Sequence, residues 1–264
     1  MNSKFTFNFK IAILFSFFLS YIFGFVLREN IAGGARADFE SFTWPLILAF
    51  KANFFDTLIN YGSYGEGSLP LFHIINAYIN PFSFDKFFFQ ASITIISLLN
   101  VVFFSQIISQ KYKVKKINSL LLSSIFLLLP FFRSSAFWGI TENFGWLFLI
   151  LSIKYYNIYE KNSLKDKTLN IFLVCFFSSL ALYVRPYLVF FPLFVVIYST
   201  IKKDFVLLKF SILFYIIFSI PGLYLISLWE NVTQTGGELI NLSQNYHNPK
   251  FILKNLIIFS SIFL

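Results

Sequence analysis

Long apolar runs separated by short charged stretches set the pattern of this chain. A helix needs roughly 17 to 25 predominantly apolar residues to cross a bilayer core. Runs of that kind predict spans at Ile11–Leu27, Phe87–Ile108, Ile117–Phe132, Phe137–Tyr156, Leu169–Val184, Tyr187–Ile201 and Phe205–Leu228. An eighth apolar run begins near Phe251 and is cut off at Leu264, which leads us to expect a truncated eighth span of a longer parent. Pro70–Ile79 is apolar but too short to cross. In Trp44–Ile59, Leu46, Ile47, Phe50, Phe54, Leu58 and Ile59 recur at three- and four-residue spacings, with Lys51 and Asp56 elsewhere on the helix. Both segments are expected to lie on the membrane within a first outer loop over 28–86. The expected fold is all-α, a polytopic transmembrane helical bundle forming one domain over 1–264. Lys10 before an apolar run and the small-x-small Ala35-Arg36-Ala37 also suggest a signal peptide, but two Arg in that stretch favour a signal anchor.

Composition supports a lipid-facing surface. Apolar residues make up 57% of the chain and charged residues 12%, too little polar surface to cover a soluble globule of 264 residues. The 40 Phe fit that view, and no separate function is assigned to them. Cys175 is the single cysteine, which excludes an internal disulfide or a thiolate metal site. A net charge of +9 would suggest nucleic acid in a soluble protein; here its distribution matters more, and no nucleic-acid partner is expected. Segments on one side of the spans collect 13 of the 21 basic residues against three acids, Glu160, Asp166 and Asp204. The positive-inside rule makes that side, with the N-terminus, cytosolic. A bacterial inner membrane is the expected location. The opposite side then holds nine of the 12 acids, every Arg, and an interfacial belt of Trp44, Trp138, Trp146 and Trp229.

Candidate chemistry lies on that outer side. The first outer loop carries Glu29, Gly33-Gly34, Arg36, Asp38 and Glu40, and continues through Glu66 to Pro70. Arg133 and Glu142 flank one short turn, and Arg185 sits in Val184-Arg185-Pro186-Tyr187. Charges this close to lipid are costly unless paired or used. Guanidinium grips phosphate through two donors where ammonium is a point charge. Arg28, Arg36, Arg133 and Arg185 are therefore candidate ligands for a lipid-borne phosphate, with headgroup snorkelling as the plainer alternative.

The order of these elements resembles the GT-C membrane glycosyltransferases. An acidic loop follows the first span, interfacial helices end in Leu69-Pro70-Leu71-Phe72-His73, the second span ends in a Lys cluster, and Thr141-Glu142-Asn143 forms a short acidic turn. The look is nearest to the protein mannosyltransferase-like and aminoarabinose transferase-like members. Ile140-Thr141-Glu142 and the Arg185 turn are also similar to the dolichol-linked α-1,2-glucosyltransferase. The resemblance implies inverting transfer of a sugar from a polyprenyl-phosphate donor to a lipid, glycan or protein acceptor on the non-cytoplasmic face. It implies Asp38 as the catalytic base, Glu40 as its understudy and Glu142 as the second acid. Arg36, Arg133, Arg185, Glu66 and His73 would bind substrate, and Asp38 with Glu142 would hold any Mg or Mn. The chain departs from the family in that Phe39 separates Asp38 from Glu40 and no Lys or His directly precedes Pro70.

Two rivals stand beside this reading, a transporter or flippase of lipid-linked substrates and an inactive membrane fragment. A transporter needs polar groups at the bilayer midplane; Asn100 is the notable one here. The orientation is checked by single cysteines placed in 111–116 and 157–167 on a Cys175→Ala background. Neither set is expected to react with an impermeant thiol reagent outside intact cells, and strong labelling of either inverts the topology.

Overall fold

The computed structural model describes residues 3–31, 33–64, 67–161 and 167–229, so Glu66 and the eighth apolar run lie outside the described residues. The helices are α1 (Ser3–Val26), α2 (Ala35–Asp38), α3 (Trp44–Ala52), α4 (Phe54–Asn60), α5 (Leu71–Tyr78), α6 (Lys86–Tyr112), α7 (Lys116–Ser123), α8 (Pro130–Phe137), α9 (Glu142–Lys161), α10 (Lys167–Val184), α11 (Phe190–Ile201) and α12 (Phe205–Trp229). A π-helical turn, Phe39–Thr43, joins α2 to α3. No strand occurs among the described residues, and the fold is an all-α helical bundle. Among the described residues four helices are long and apolar enough to cross a membrane, those at Phe7–Val26, Lys86–Tyr112, Lys167–Val184 and Phe205–Trp229. Of the expected spans, Phe137–Tyr156 and Tyr187–Ile201 do not qualify, the first because α9 carries several charged and polar residues and the second because its helix is short. The chain is an integral membrane protein.

The expected span Ile117–Phe132 is broken. α7 runs through a 3-10 turn, Ser124–Leu128, and then bends by 73° into α8. Pro130 explains the break, because its ring disfavours a helical residue before it. Leu129 is accordingly extended, at φ −73° and ψ 121°. Arg133, expected in a turn, therefore lies inside α8.

Arg133 pins α8 to α1. Its Nε donates to Glu29 Oε1 at 2.8 Å and its Nη2 to Glu29 Oε2 at 2.5 Å. Nη2 also donates to Ser20 O at 2.9 Å, and Nη1 to Ser20 Oγ and Leu127 O, each at 3.0 Å. These bonds engage all five guanidinium donors, so the fork expected to bind phosphate is closed inside the protein. Leu127 O is among the carbonyls released at the helix break, which gives the cation a second task. Gly24 is the condition for this arrangement. A Cβ there would stand 2.3 Å from Arg133 Nη2 and 2.7 Å from Glu29 Oε2.

The segment between α1 and α6 is folded inward. Phe39, Leu46, Ile47, Phe50, Tyr61 and Phe72 are fully buried. Phe39 lies against Phe89 at 5.9 Å and Phe72 sits edge-on to Phe144 at 5.1 Å. Burying each such side chain contributes about 1.5–3 kcal/mol. Helices α3 and α5, expected to lie on the membrane, thus pack as a cap over the start of α9. Leu48, Phe55 and Ile59 remain as its exposed apolar face. The Trp belt is also recast, since Trp44, Trp138 and Trp229 are buried. Trp138 donates to Glu29 O at 3.1 Å and Trp229 to Leu58 O at 3.0 Å.

The basic end has its own ties. Lys113 ends α6 in the left-handed region at φ 53°. Lys161 donates to Gln110 O at 3.0 Å, and Tyr159 to Asp204 Oδ2 at 2.5 Å. The lysine-rich turns are thus tied to neighbouring helices, whereas Lys51 and Lys86 belong to the cap, where they bond Ser83 O and Glu40.

Glu29→Ala is expected to destabilise the protein by about 3–5 kcal/mol, because it strands a buried cation. Replacing both partners, as Glu29→Leu with Arg133→Met, is expected to recover much of that loss. Unfolding by SDS in mixed micelles measures both, and an unchanged transition for Glu29→Ala would remove Arg133 from this role.

Candidate functional site

The site is built from two short stretches that the cap brings together. In the first, Gly33 and Gly34 adopt φ 70° and 71°, a conformation open to glycine at little cost. They turn the chain into α2, and the Asp38 N–H donates to Gly34 O at 2.9 Å. Phe39 is buried among Phe89, Trp44 and Trp138. That anchor leaves Asp38 and Glu40, on either side of it, exposed. Glu40 is committed to an exposed ion pair with Lys86. No such pair involves Asp38 among the described residues.

The second stretch opens α9 and faces the α10–α11 turn. Glu142 is the first residue of α9 and is buried. Its Oε1 pairs with Arg185 Nη2. Arg185 precedes the 3-10 turn Pro186–Val189, extended at φ −143° and ψ 105°. Its stem crosses α9 at Gly145, where a Cβ would meet Arg185 Cγ at 3.4 Å and Leu188 Cδ1 at 3.0 Å. Three buried polar atoms here have no hydrogen-bond partner: Glu142 Oε2, Arg185 Nε and Thr141 Oγ1. Leaving a buried polar group unpaired costs about 1–3 kcal/mol. Three on adjacent residues mark a place suited to binding a polar ligand rather than to packing.

The two stretches are neighbours, the Asp38 carboxylate lying within electrostatic range of Glu142. Tyr187, half exposed, is within range of both Glu142 and Arg185. His73 belongs to the floor of the cap. Its Nδ1 shares a hydrogen bond with Tyr61 Oη at 3.0 Å, and the Tyr61 ring lies tilted against Trp229 at 5.3 Å. Burial pushes the His73 imidazole down to about 3, and the nearby Arg185 cation acts in the same direction.

Glu142 and Arg185 are thus paired, Asp38 is within electrostatic range of Glu142, and His73 is within electrostatic range of Arg185. Arg133 is set apart by its bonds to Glu29. Arg36 is exposed and lies over the Trp138 ring, 5.6 Å from its centroid. Arg28 is exposed in the left-handed region, and Glu66 lies outside the described residues. Sequence reasoning missed Thr141, Gly145 and Tyr61 as parts of the site. The run Thr141-Glu142-Asn143 before Gly145 was the available signal, two small or polar positions framing a carboxylate.

Asp38 and Glu142 were the expected ligands of a divalent cation. Among the described residues, no three or more His, Cys, Asp or Glu side chains converge on one point. One Glu142 oxygen already faces a guanidinium, leaving one buried oxygen and the exposed Asp38. Mg²⁺ asks for octahedral oxygen ligation and repels a neighbouring cation. These donors do not fit a resident dication, and no chemical step is routed through one.

His73 gives a pH prediction. Its folded value lies below the value near 6.5 of an unfolded chain, so the unfolded state binds the extra proton below that point. Stability is therefore complete above about pH 6.5 and falls as pH drops toward about 3. His73→Gln is expected to flatten that slope in thermal unfolding measured from pH 7 to pH 4, and an unaltered slope would exclude His73 as its source.

Comparison with family models, with curated proteins and with solved structures gave no match to this chain.

Proposed function

We propose that the chain is a membrane glycosyltransferase that moves a sugar from a polyprenyl-phosphate donor to an acceptor hydroxyl at the bilayer surface. The observation that carries the reading is the partly buried Glu142–Arg185 pair, with its unpaired polar atoms, within electrostatic range of the exposed Asp38 carboxylate. The order of sequence elements shared with the GT-C enzymes supports it. That likeness rests on motifs and is an analogy.

The chemistry follows from the residue types. Asp38, unpaired and exposed, is the base that takes the proton from the acceptor hydroxyl. The hydroxyl oxygen forms its bond to the anomeric carbon from the face opposite the phosphate, which inverts that carbon. The bond from the anomeric carbon to the phosphate oxygen breaks, and its electron pair stays on phosphate. Arg185 offsets the charge that develops there. Glu142 positions Arg185, and Glu40, paired with Lys86, orients the loop that carries Asp38.

A transporter or flippase would use the 73° break between α7 and α8. The free carbonyl at Leu127 is taken up by Arg133, and the neighbouring Asn100 donates to Asn143 O at 2.9 Å. A cavity of about 80 Å³ lined by Asn100, Phe126, Leu129 and Phe132 remains at the break, with Asn100 Oδ1 unpaired, so the preference for the transferase rests on Glu142, Arg185 and Asp38.

Asp38→Asn keeps the shape and removes the base, so transfer is expected to slow by about 10² to 10⁴. Glu40→Gln is expected to cost less. The assay is sugar transfer from a polyprenyl-phosphate donor by the full-length protein, with membrane insertion checked in parallel. Transfer by Asp38→Asn at the unmodified rate excludes Asp38 as the base. No transfer from any such donor defeats the glycosyltransferase reading.

A further inference from the structure

A cleft of about 480 Å³ opens between α10, α11 and α12, lined almost wholly by apolar groups, among them Leu69, Leu193, Val196 and Phe218. Two of its lining residues, Tyr183 and Pro186, stand two places before and one place after Arg185 in the chain. The cleft wall is irregular at Pro221, which has no N–H to donate within α12. Tyr183 bridges the irregularity. Its hydroxyl donates to Phe218 O and accepts from the Gly222 N–H at 3.1 Å. The side chain that shapes the cleft therefore comes from the same short segment as the cation.

Size does not single this cleft out. A second apolar groove of about 420 Å³ runs along α6 and α7, lined by residues that include Phe104, Ile108, Leu122 and Ile125. The lysines flanking that groove at Tyr112, Lys111 and Lys113, are exposed. The α10–α12 cleft instead adjoins a largely buried guanidinium with a donor to spare. Nη2 of Arg185 is held by Glu142, and the neighbouring Nε is buried without a partner. Nε and Nη2 form one edge of the fork, the spacing that two phosphate oxygens match.

We infer that the α10–α12 cleft takes one hydrocarbon chain of an amphiphile whose phosphate head replaces Glu142 as the partner of Arg185. This rests on the lipid-phosphate reading above and adds where the chain lies and what the head displaces. A carboxylate and a phosphate compete for the same guanidinium edge, so Glu142 holds the cation in place until the head arrives. Thr141 Oγ1, next to Glu142 in the chain, is likewise buried and unpaired. The consequence runs against ordinary intuition, because neutralising a site carboxylate then strengthens binding. Removing the competitor leaves Arg185 free for phosphate, whereas a Glu142 that contacts ligand directly would make its loss weaken binding.

The test is equilibrium binding of farnesyl phosphate to the full-length protein in detergent, with farnesol and inorganic phosphate as the two separated halves. Variants are compared only where their thermal unfolding matches that of the unmodified protein. Glu142→Gln is expected to bind farnesyl phosphate about tenfold more tightly, a change of about 1.4 kcal/mol, and Arg185→Lys about tenfold more weakly. Leu193→Trp and Val196→Trp, which fill the cleft, are expected to weaken it by a similar factor. Ile125→Trp, in the α6–α7 groove, is expected to leave it unchanged. Unchanged or weaker binding by Glu142→Gln overturns the exchange at Arg185. Equal losses from Ile125→Trp and Val196→Trp, or inorganic phosphate binding as tightly as farnesyl phosphate, overturn the assignment of the cleft. Absence of farnesyl phosphate binding in every form defeats the lipid-phosphate reading itself. Binding that is indifferent both to Glu142 and to the cleft defeats only this inference.

Discussion

A guanidinium stays charged in any protein, so wherever the chain places Arg133 near hydrocarbon its five donors have to be met from within. Glu29, Ser20 and Leu127 meet them, and the cost of that arrangement shapes the surrounding helices. Gly24 has to lack a side chain, Pro130 has to bend α7 into α8, and the end of α1 has to carry a carboxylate. With α1 and α8 joined, Trp138 can reach Glu29 O and Phe39 can seat against Trp138 and Phe89. The cap of α2 to α5 is thus positioned by a buried ion pair several residues from the chemistry proposed for it. An ion pair of this kind is weak evidence for stability relative to an apolar replacement. Its effect is on geometry, since only one relative placement of α1 and α8 satisfies every donor.

The buried Arg133 and the partly buried Arg185 divide the labour. Arg133 is saturated and structural. Arg185 has a similar local sequence, a charge within reach of apolar helix and an aromatic close by, yet keeps an unpaired donor beside an unpaired carboxylate oxygen. Natural proteins leave few buried polar groups unmet, so an exception on a carboxylate and its cation partner points to a ligand. Glycine at 145 leaves room where α9 passes Leu188, whose Cδ1 would stand 3.0 Å from an added Cβ, with the Arg185 stem in ordinary contact beside it.

The basic end of the bundle is simpler. Lys113 and Lys203 end their helices in the left-handed region, and Tyr159 ties α9 to Asp204, which accepts from the Leu207 N–H at 3.1 Å. Cations near helix C-termini also meet the favourable end of the helix dipole. These contacts join helix ends through short polar turns.

How far the sequence speaks differs from element to element. The runs at Phe87–Ile108 and Phe205–Leu228 announced α6 and α12, because a long apolar segment satisfies its backbone only as a helix once it leaves water. The charge pattern announced lysine-rich turns between helices, though not that Lys86 would join Glu40 in the cap. The Leu46, Ile47 and Phe50 spacing announced a helix and its apolar face, but not the surface that face would cover. Membrane and protein core are equally apolar, so periodicity has no means of separating an interfacial helix from a buried one. The same limit applies to Arg133 and Arg185. The sequence by itself determined an all-α membrane bundle with its acids and arginines grouped together, since hydrophobicity and charge are local properties of the residues. Which arginine is closed by Glu29 and which faces Glu142 with a donor unmet was decided only by the tertiary structure, because hydrogen-bond saturation depends on atoms brought together from distant parts of the chain.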